Sequence, residues 1–306
     1  PATQSLSQAK NTTERASTAR HSPMSNTTSI NDLKPGAVAV IGVPSDENST
    51  FMSGAALAPA RIREVLHSGS TNLSAENGLD LDIDPDWQDL GDLELPPGHA
   101  AREQIEARVA GLLDRGLRVL SLGGDHAITY PIVRAYSKQY RALNILHFDA
   151  HPDLYDEFEG NRYSHACPFA RIMEEGLVQR LVQVGIRAMN PHQSAQAERF
   201  GVEVVHVQQW HSGISLDFQG PLYLSIDIDV LDPAFAPGVS HHEPGGLSTR
   251  DLLRLIQSLH APIVGADIVE YNPKRDLVDM TAMTAAKLLK EVLACMLEGN
   301  SLEDAP

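Results

Sequence analysis

The 306-residue chain predicts an α/β protein with a mostly parallel central sheet and helices on both faces. Three observations carry this. Short apolar runs alternate with longer stretches of helical period along most of the length. Residues with ligand chemistry cluster where a predicted strand gives way to a loop, which is where open α/β sheets place their sites. Those clusters are spread over more than a hundred positions and must meet, which favours one large domain over two small ones.

Residues 1–30 are rich in Ser, Thr, Asn and Ala, with Leu6, Met24 and Ile30 as the large apolar residues, and predict a flexible tail before a single domain at 31–306. Lys10, Arg15 and Arg20 against Glu14 faintly resemble an organellar transit peptide, but the apolar helical stripe of such peptides is missing, so a cytoplasmic protein with a plain tail is expected. Order begins with the buried-type strand 37–43, followed by a helix at 57–68. Stretch 71–98 reads as an irregular connection. Its run Asp80 to Asp86 imitates a calcium loop but lacks the turn glycine and the closing Glu, and so reads as a solvated acidic loop. Helix 99–115, strand 117–122, helix 129–140 and strand 143–149 follow, then helix 166–175, strand 181–186, helix 191–200 and strand 203–207. After a second irregular connection at 208–220 come strand 221–228, helix 249–259, strand 262–269 and helix 280–298.

Composition excludes several classes. A net charge of −16 argues against nucleic acid as partner and suits a cationic small molecule. No apolar run approaches the ~18 residues of a membrane span. Cys167 and Cys295 are too few for a disulfide framework and suggest a reducing compartment.

The chemistry sits in three clusters. In Ser225-Ile226-Asp227-Ile228-Asp229-Val230-Leu231-Asp232-Pro233, two carboxylates two residues apart close an apolar run, so in a strand both face one place. Like charges buried together call for a cation between them. Asn144 to Phe148 runs into Asp149-Ala150-His151-Pro152-Asp153, and Val119 to Leu122 runs into Gly123-Gly124-Asp125-His126. Carboxylates and imidazoles without thiolates suit divalent ions such as Mn²⁺, Ni²⁺, Co²⁺ or Zn²⁺. With Asp149 and Asp227 as bridges, His126 and Asp153 complete one position, and His151 and Asp229 the other. Two such ions would lie roughly 3.5 to 4 Å apart and bring the pKa of a shared water toward neutrality, giving a hydrolytic nucleophile. Asp125 is expected to support a ligand from behind, Asp232 to shape the turn before Pro233, and His147 to be a core histidine.

These three motifs resemble the signatures of the ureohydrolase family, which includes arginase and agmatinase. Phe158-Glu159-Gly160-Asn161, Tyr163-Ser164-His165-Ala166, Ala234 to Ser240, Glu243 to Ser248, Asp267 to Pro273 and Met280-Thr281-Ala282-Met283 resemble its plant-type arginase branch. The resemblance implies a three-layer α/β/α fold, a homotrimer or homohexamer, and two Mn²⁺ ions, with Ni²⁺ or Co²⁺ as substitutes. It also implies hydrolysis of L-arginine to ornithine and urea. Agmatine, or another guanidino compound as in guanidinobutyrase or guanidine hydrolase, is the alternative.

The same resemblance gives His165 the role of proton shuttle and Glu270 that of guanidinium holder. His165 as a mere helix neighbour, and Glu270 as the ion-pair partner of Lys274 or Arg275, remain open. Tyr155 stands where animal and bacillar arginases have an Asn that helps read the α-carboxylate. Asn190 stands near where they have an Asp for the α-amino group. Both are candidate substrate readers, with His241 and His242 at the rim.

Overall fold

A computed structural model describes residues 33–210 and 216–298; the expectations for the tail at 1–30 fall outside them. Eight strands form one sheet in which every pairing is parallel. They are β1 (Val38–Val43), β2 (Trp87–Asp92), β3 (Arg118–Gly123), β4 (Asn144–Phe148), β5 (Arg180–Ile186), β6 (Glu203–His206), β7 (Leu222–Asp227) and β8 (Ile263–Val269), in the order β2-β1-β3-β8-β7-β4-β5-β6.

Seven α-helices cover the two faces: α1 (Ala58–Leu66), α2 (His99–Leu113), α3 (Thr129–Gln139), α4 (Pro168–Glu174), α5 (Pro191–Phe200), α6 (Thr249–Gln257) and α7 (Met280–Glu298). The central strands are buried on both sides, so side-chain alternation divides the interior into two cores. Val40, Leu122, Leu146 and Leu224 pack under α1, α6 and α7. Ile41, Val119, Ile145 and Tyr223 pack under α2 to α5. The arrangement is three layers, α/β/α.

One strand departs from expectation. Trp87–Asp92 lies inside the stretch read as irregular, yet it pairs with β1 as the sheet's edge. Its residues are half-buried up to the exposed Asp92 and mix polar with apolar types, because an edge strand needs only one partner and one covered face. Just before it, Asp80 and Asp84 accept from the amides of Asp82 and Asp86, so that acidic run is a pair of local turns. Asp232 shapes its own turn as expected, accepting from the amides of Ala234, Gly245 and Gly246. Cys167 and Cys295 are free thiols. No helix among the described residues is long and apolar enough to cross a membrane.

Candidate metal centre

Adjacent strands β3, β8, β7 and β4 end together; the ends of β3, β7 and β4 carry the expected ligands, and that of β8 carries Glu270. After β3 the chain passes the segment around Ser45 so closely that a Cβ on Gly124 would lie 1.7 Å from the Ser45 carbonyl oxygen; only glycine fits. Asp125 then caps the turn that presents His126. Its carboxylate accepts from the amides of Ala127 (3.1 Å) and Asn48 (2.9 Å), and burial together with the charge of Glu270 pushes its pKa up to about 7. This is the supporting place expected of it. On the other side, Gly185 has φ 98°, and a Cβ there would meet Val230 at 2.5 Å and the Asp149 carbonyl at 3.0 Å.

Asp149 lies at the middle of the cluster and divides its oxygens. Oδ2 is 3.2 Å from His126 Nδ1, and Oδ1 is 3.3 Å from His151 Nδ1. His126 Nδ1 is also 3.1 Å from Asp153 Oδ2 and 3.3 Å from Asp227 Oδ2, while His151 Nδ1 is 3.0 Å from Asp229 Oδ2. All six expected ligands are thus brought together, as two groups sharing one carboxylate. Asp227 Oδ1 and Asp229 Oδ1 accept from the amides of Asp229 and Ala150, which fixes both loops after β7 and β4.

The cluster fits a cation on two counts. Donors held ~2.2 Å from one ion at right angles sit ~3.1 Å apart, the spacing seen around His126 Nδ1. That nitrogen is fully buried, with three carboxylate oxygens around it and no hydrogen-bond partner. Four buried carboxylates so close together also demand positive charge, as protons or as a divalent ion. Burial, then the charges of Asp229 and Asp149, push Asp227 well above the usual carboxylate range, and burial with Asp149 raises Asp229. Burial opposes ionisation of Asp149 too, yet the imidazoles of His126, His147 and His151 hold it well below that range.

Glu270 and His165 meet beside the cluster. His165 Nδ1 lies 2.9 Å from Glu270 Oε1, which also accepts from the His126 amide at 2.8 Å. Lys274 instead reaches the Ser53 carbonyl, so the Glu270–Lys274 pair left open above is not made. Burial works against the imidazolium of His165, but the charge of Glu270 prevails and raises its pKa to about 9. Its Nε2 faces Thr50 Oγ1 at 2.9 Å and the Thr50 amide at 3.3 Å. Those two contacts favour opposite protonation states: the hydroxyl can accept from Nε2–H, whereas the amide can only donate to bare Nε2. The imidazole therefore has a partner in either state.

Two site residues adopt left-handed backbone that L-residues rarely take: Asp153 at φ 51° and Glu270 at φ 63°. Asn190 caps α5 through Oδ1, accepting from Gln193 N, and its Nδ2 donates to the Tyr155 hydroxyl at 2.6 Å. The two candidate readers thus touch each other, and Tyr155 stacks on His192. Of the two rim histidines, His241 sits 5.9 Å from His151 and 5.3 Å from His165, ring to ring. His242 is exposed and donates to the Pro237 carbonyl.

His147 is fully buried in β4, the core histidine expected of it, and its ring is also bonded to the site: Nε2 is 2.9 Å from Asp149 Oδ2 and Nδ1 is 3.0 Å from Gln183 Nε2. Its place two residues before Asp149 already put both on one face of β4. Sequence reasoning also missed Thr50, Gln183 and the buried Asp267, which accepts from Thr129, Tyr223 and Ser225 while Ser225 Oγ bonds His126 Nε2. Ser225 carries the same signal, two residues before Asp227. The others lie on distant segments.

A parallel α/β sheet whose strand ends carry a His/Asp cluster of this kind defines a metal-dependent hydrolase. The chain belongs to the arginase family, whose family profile matches residues 36–295. It is 47% identical over 276 residues to Arginase 1, mitochondrial, of Arabidopsis thaliana, covering 84% of this chain and 80% of that protein. An agmatinase of Bacillus anthracis is 36% identical over 266 residues, covering 84% and 90%. The solved structure of an arginase from Medicago truncatula superposes with a TM-score of 0.79 at 44% identity, covering 85% of this chain and 87% of that one.

Proposed function

We propose that the protein hydrolyses L-arginine to ornithine and urea at a centre of two divalent ions. His126, Asp149, Asp153 and Asp227 hold one ion, and His151, Asp149, Asp227 and Asp229 the other, with Mn²⁺ as the expected metal and Ni²⁺ or Co²⁺ as substitutes. The observation that carries the reading is the divided carboxylate of Asp149, each oxygen turned to a different imidazole. Bound there, such ions supply the Lewis acidity that makes water nucleophilic near neutral pH.

The chain's own groups do the rest. Glu270 accepts the planar guanidinium by charge-assisted hydrogen bonds. His165 stores a proton because Glu270 is charged beside it. When a guanidinium neutralises Glu270, that support weakens and His165 becomes a better acid for the departing amine. Thr50 keeps Nε2 partnered before and after the transfer.

Arginine is favoured because relatives at 45–47% identity are named arginases, against 36% for the agmatinase. Agmatine is the second reading, since Asn190 Oδ1 caps α5 and its Nδ2 already spends one hydrogen on the Tyr155 hydroxyl, so the pair is engaged with itself and with the helix and carries no positive charge for an α-carboxylate. Urea release from arginine, agmatine and other guanidino compounds by the Mn²⁺-loaded protein tests this. Arginine should give the highest kcat/KM, and the Tyr155→Asn and Asn190→Asp variants should change the arginine-to-agmatine ratio more than the common rate. An unchanged ratio in both variants would remove them as readers. A homotrimer or homohexamer suits the exposed Leu277 and Val278, just before α7, and Met280, its first residue, and light scattering would measure it.

A further inference from the structure

Beneath the ligands the sheet carries a buried polar row. At one register Ser121, Asp267, Ser225, His147 and Gln183 stand side by side on β3, β8, β7, β4 and β5, all fully buried. Two residues further along β4 and β7 come Asp149 and Asp227, so this row is the tier directly below the shared carboxylate.

What each atom can do fixes the direction of the bonds in one branch. Gln183 Nε2 lies 3.0 Å from His147 Nδ1 and 2.6 Å from the Pro152 carbonyl oxygen. Turning the amide over would set two acceptors against each other at Pro152, so Gln183 donates both hydrogens. His147 Nδ1 therefore accepts. The single proton of the neutral ring is on Nε2, which donates to Asp149 Oδ2 at 2.9 Å. Phe169 stacks on the ring at 3.9 Å between centroids and fixes its plane.

Asp149 Oδ1 in turn accepts from the His151 amide at 2.5 Å. Each oxygen thus has one fixed donor, and its remaining capacity faces a different imidazole. Gln183 Oε1 is buried with no hydrogen-bond partner, a penalty that keeping the amide in this orientation entails.

We propose that Gln183 and His147 form a tautomer lock that orients Asp149, making both of them positioning residues for the centre. The inference rests on the two-ion reading above. Mn²⁺ binding to the full-length protein, by calorimetry and by metal content after dialysis, tests it together with ¹⁵N NMR of the His147 ring. The wild type should take up two Mn²⁺ and show the proton on Nε2.

His147→Phe keeps a ring against Phe169 but no donor, and should weaken Mn²⁺ binding about 10- to 100-fold. His147→Gln restores an N–H at the place of Nε2 and should bind close to wild type. Gln183→Glu, equal in size but with at most one hydrogen, which the Pro152 carbonyl takes, should leave an acceptor facing Nδ1, move the ring proton there and weaken binding as His147→Phe does. Circular dichroism of the metal-free variants checks folding. Should His147→Phe not fold, the isosteric Gln183→Glu variant and the wild-type ring spectrum still decide.

Wild-type affinity in both His147→Phe and Gln183→Glu would overturn the lock, as would a wild-type ring protonated on Nδ1. Binding worse in His147→Gln than in His147→Phe would assign the ring to packing and overturn it too. A wild type that binds no Mn²⁺ would overturn the two-ion reading as well.

Discussion

The two halves of the ligand cluster differ in their access to water. His126 is completely buried, set edge-on to Phe169 and His147, with Asp149, Asp153 and Asp227 around its Nδ1. The His151 side chain is 24% exposed, with Asp149 and Asp229 at its Nδ1 and the ring of His241 nearby. Buried ligand atoms shielded from water need a proton or an ion to satisfy them, whereas those nearer the mouth can also meet water. On the two-ion proposal, the difference gives the inner half the task of holding an ion and the outer half the meeting with substrate.

The change that should break the comparison most completely is Asp149→Ala, because it removes the group both halves share. Both ions and nearly all turnover should disappear together, measured as metal content and urea release; full occupancy with wild-type rate would dissolve the paired arrangement. His126→Asn against His151→Asn sharpens it. During stepwise chelation the outer ion should leave first, and His126→Asn should lose more total metal than His151→Asn. The reverse order would exchange the two tasks.

His165→Phe should leave both halves loaded yet lower kcat by about 10² to 10⁴, the usual worth of general acid–base help. An unaltered pH–rate profile in that variant would deny it the shuttle role. Far from either half, Glu76 bonds Arg250, Gln257 and Lys287, which hold its carboxyl well below the usual range. Its folded pKa is depressed, so its contribution is present at neutral pH and lost as pH falls through the acid range. The pair is largely exposed, so Glu76→Gln should cost under about 1 kcal/mol of stability at pH 7, measured by urea denaturation, with metal content unchanged.

Much of this was legible in the sequence. Apolar runs located seven of the eight strands and all seven helices among the described residues, because burial on both faces leaves little choice of residue type. β2 escaped since Trp87-Gln88-Asp89-Leu90-Gly91-Asp92 is an edge with a weak apolar signal. Ligand-type side chains two apart at strand ends announced Asp227 with Asp229 and Asp149 with His151. Their partners were hidden for a different reason. Gln183 meets His147 across a strand pairing 36 residues distant, and Thr50 meets His165 from 115 residues away. Local pattern carries no information about such distant pairs, so the ligands could be read but not the groups that orient them.

The left-handed backbone of Asp153 and Glu270 has a consequence for anyone altering this protein. For residues with a Cβ that conformation costs about 1 to 2 kcal/mol each, and glycine adopts it freely. Glycine at either place would relax the chain while deleting a carboxylate from the cluster or from its neighbour His165. Selection for heat resistance alone would therefore be drawn into the active centre, where durability and turnover are traded residue for residue.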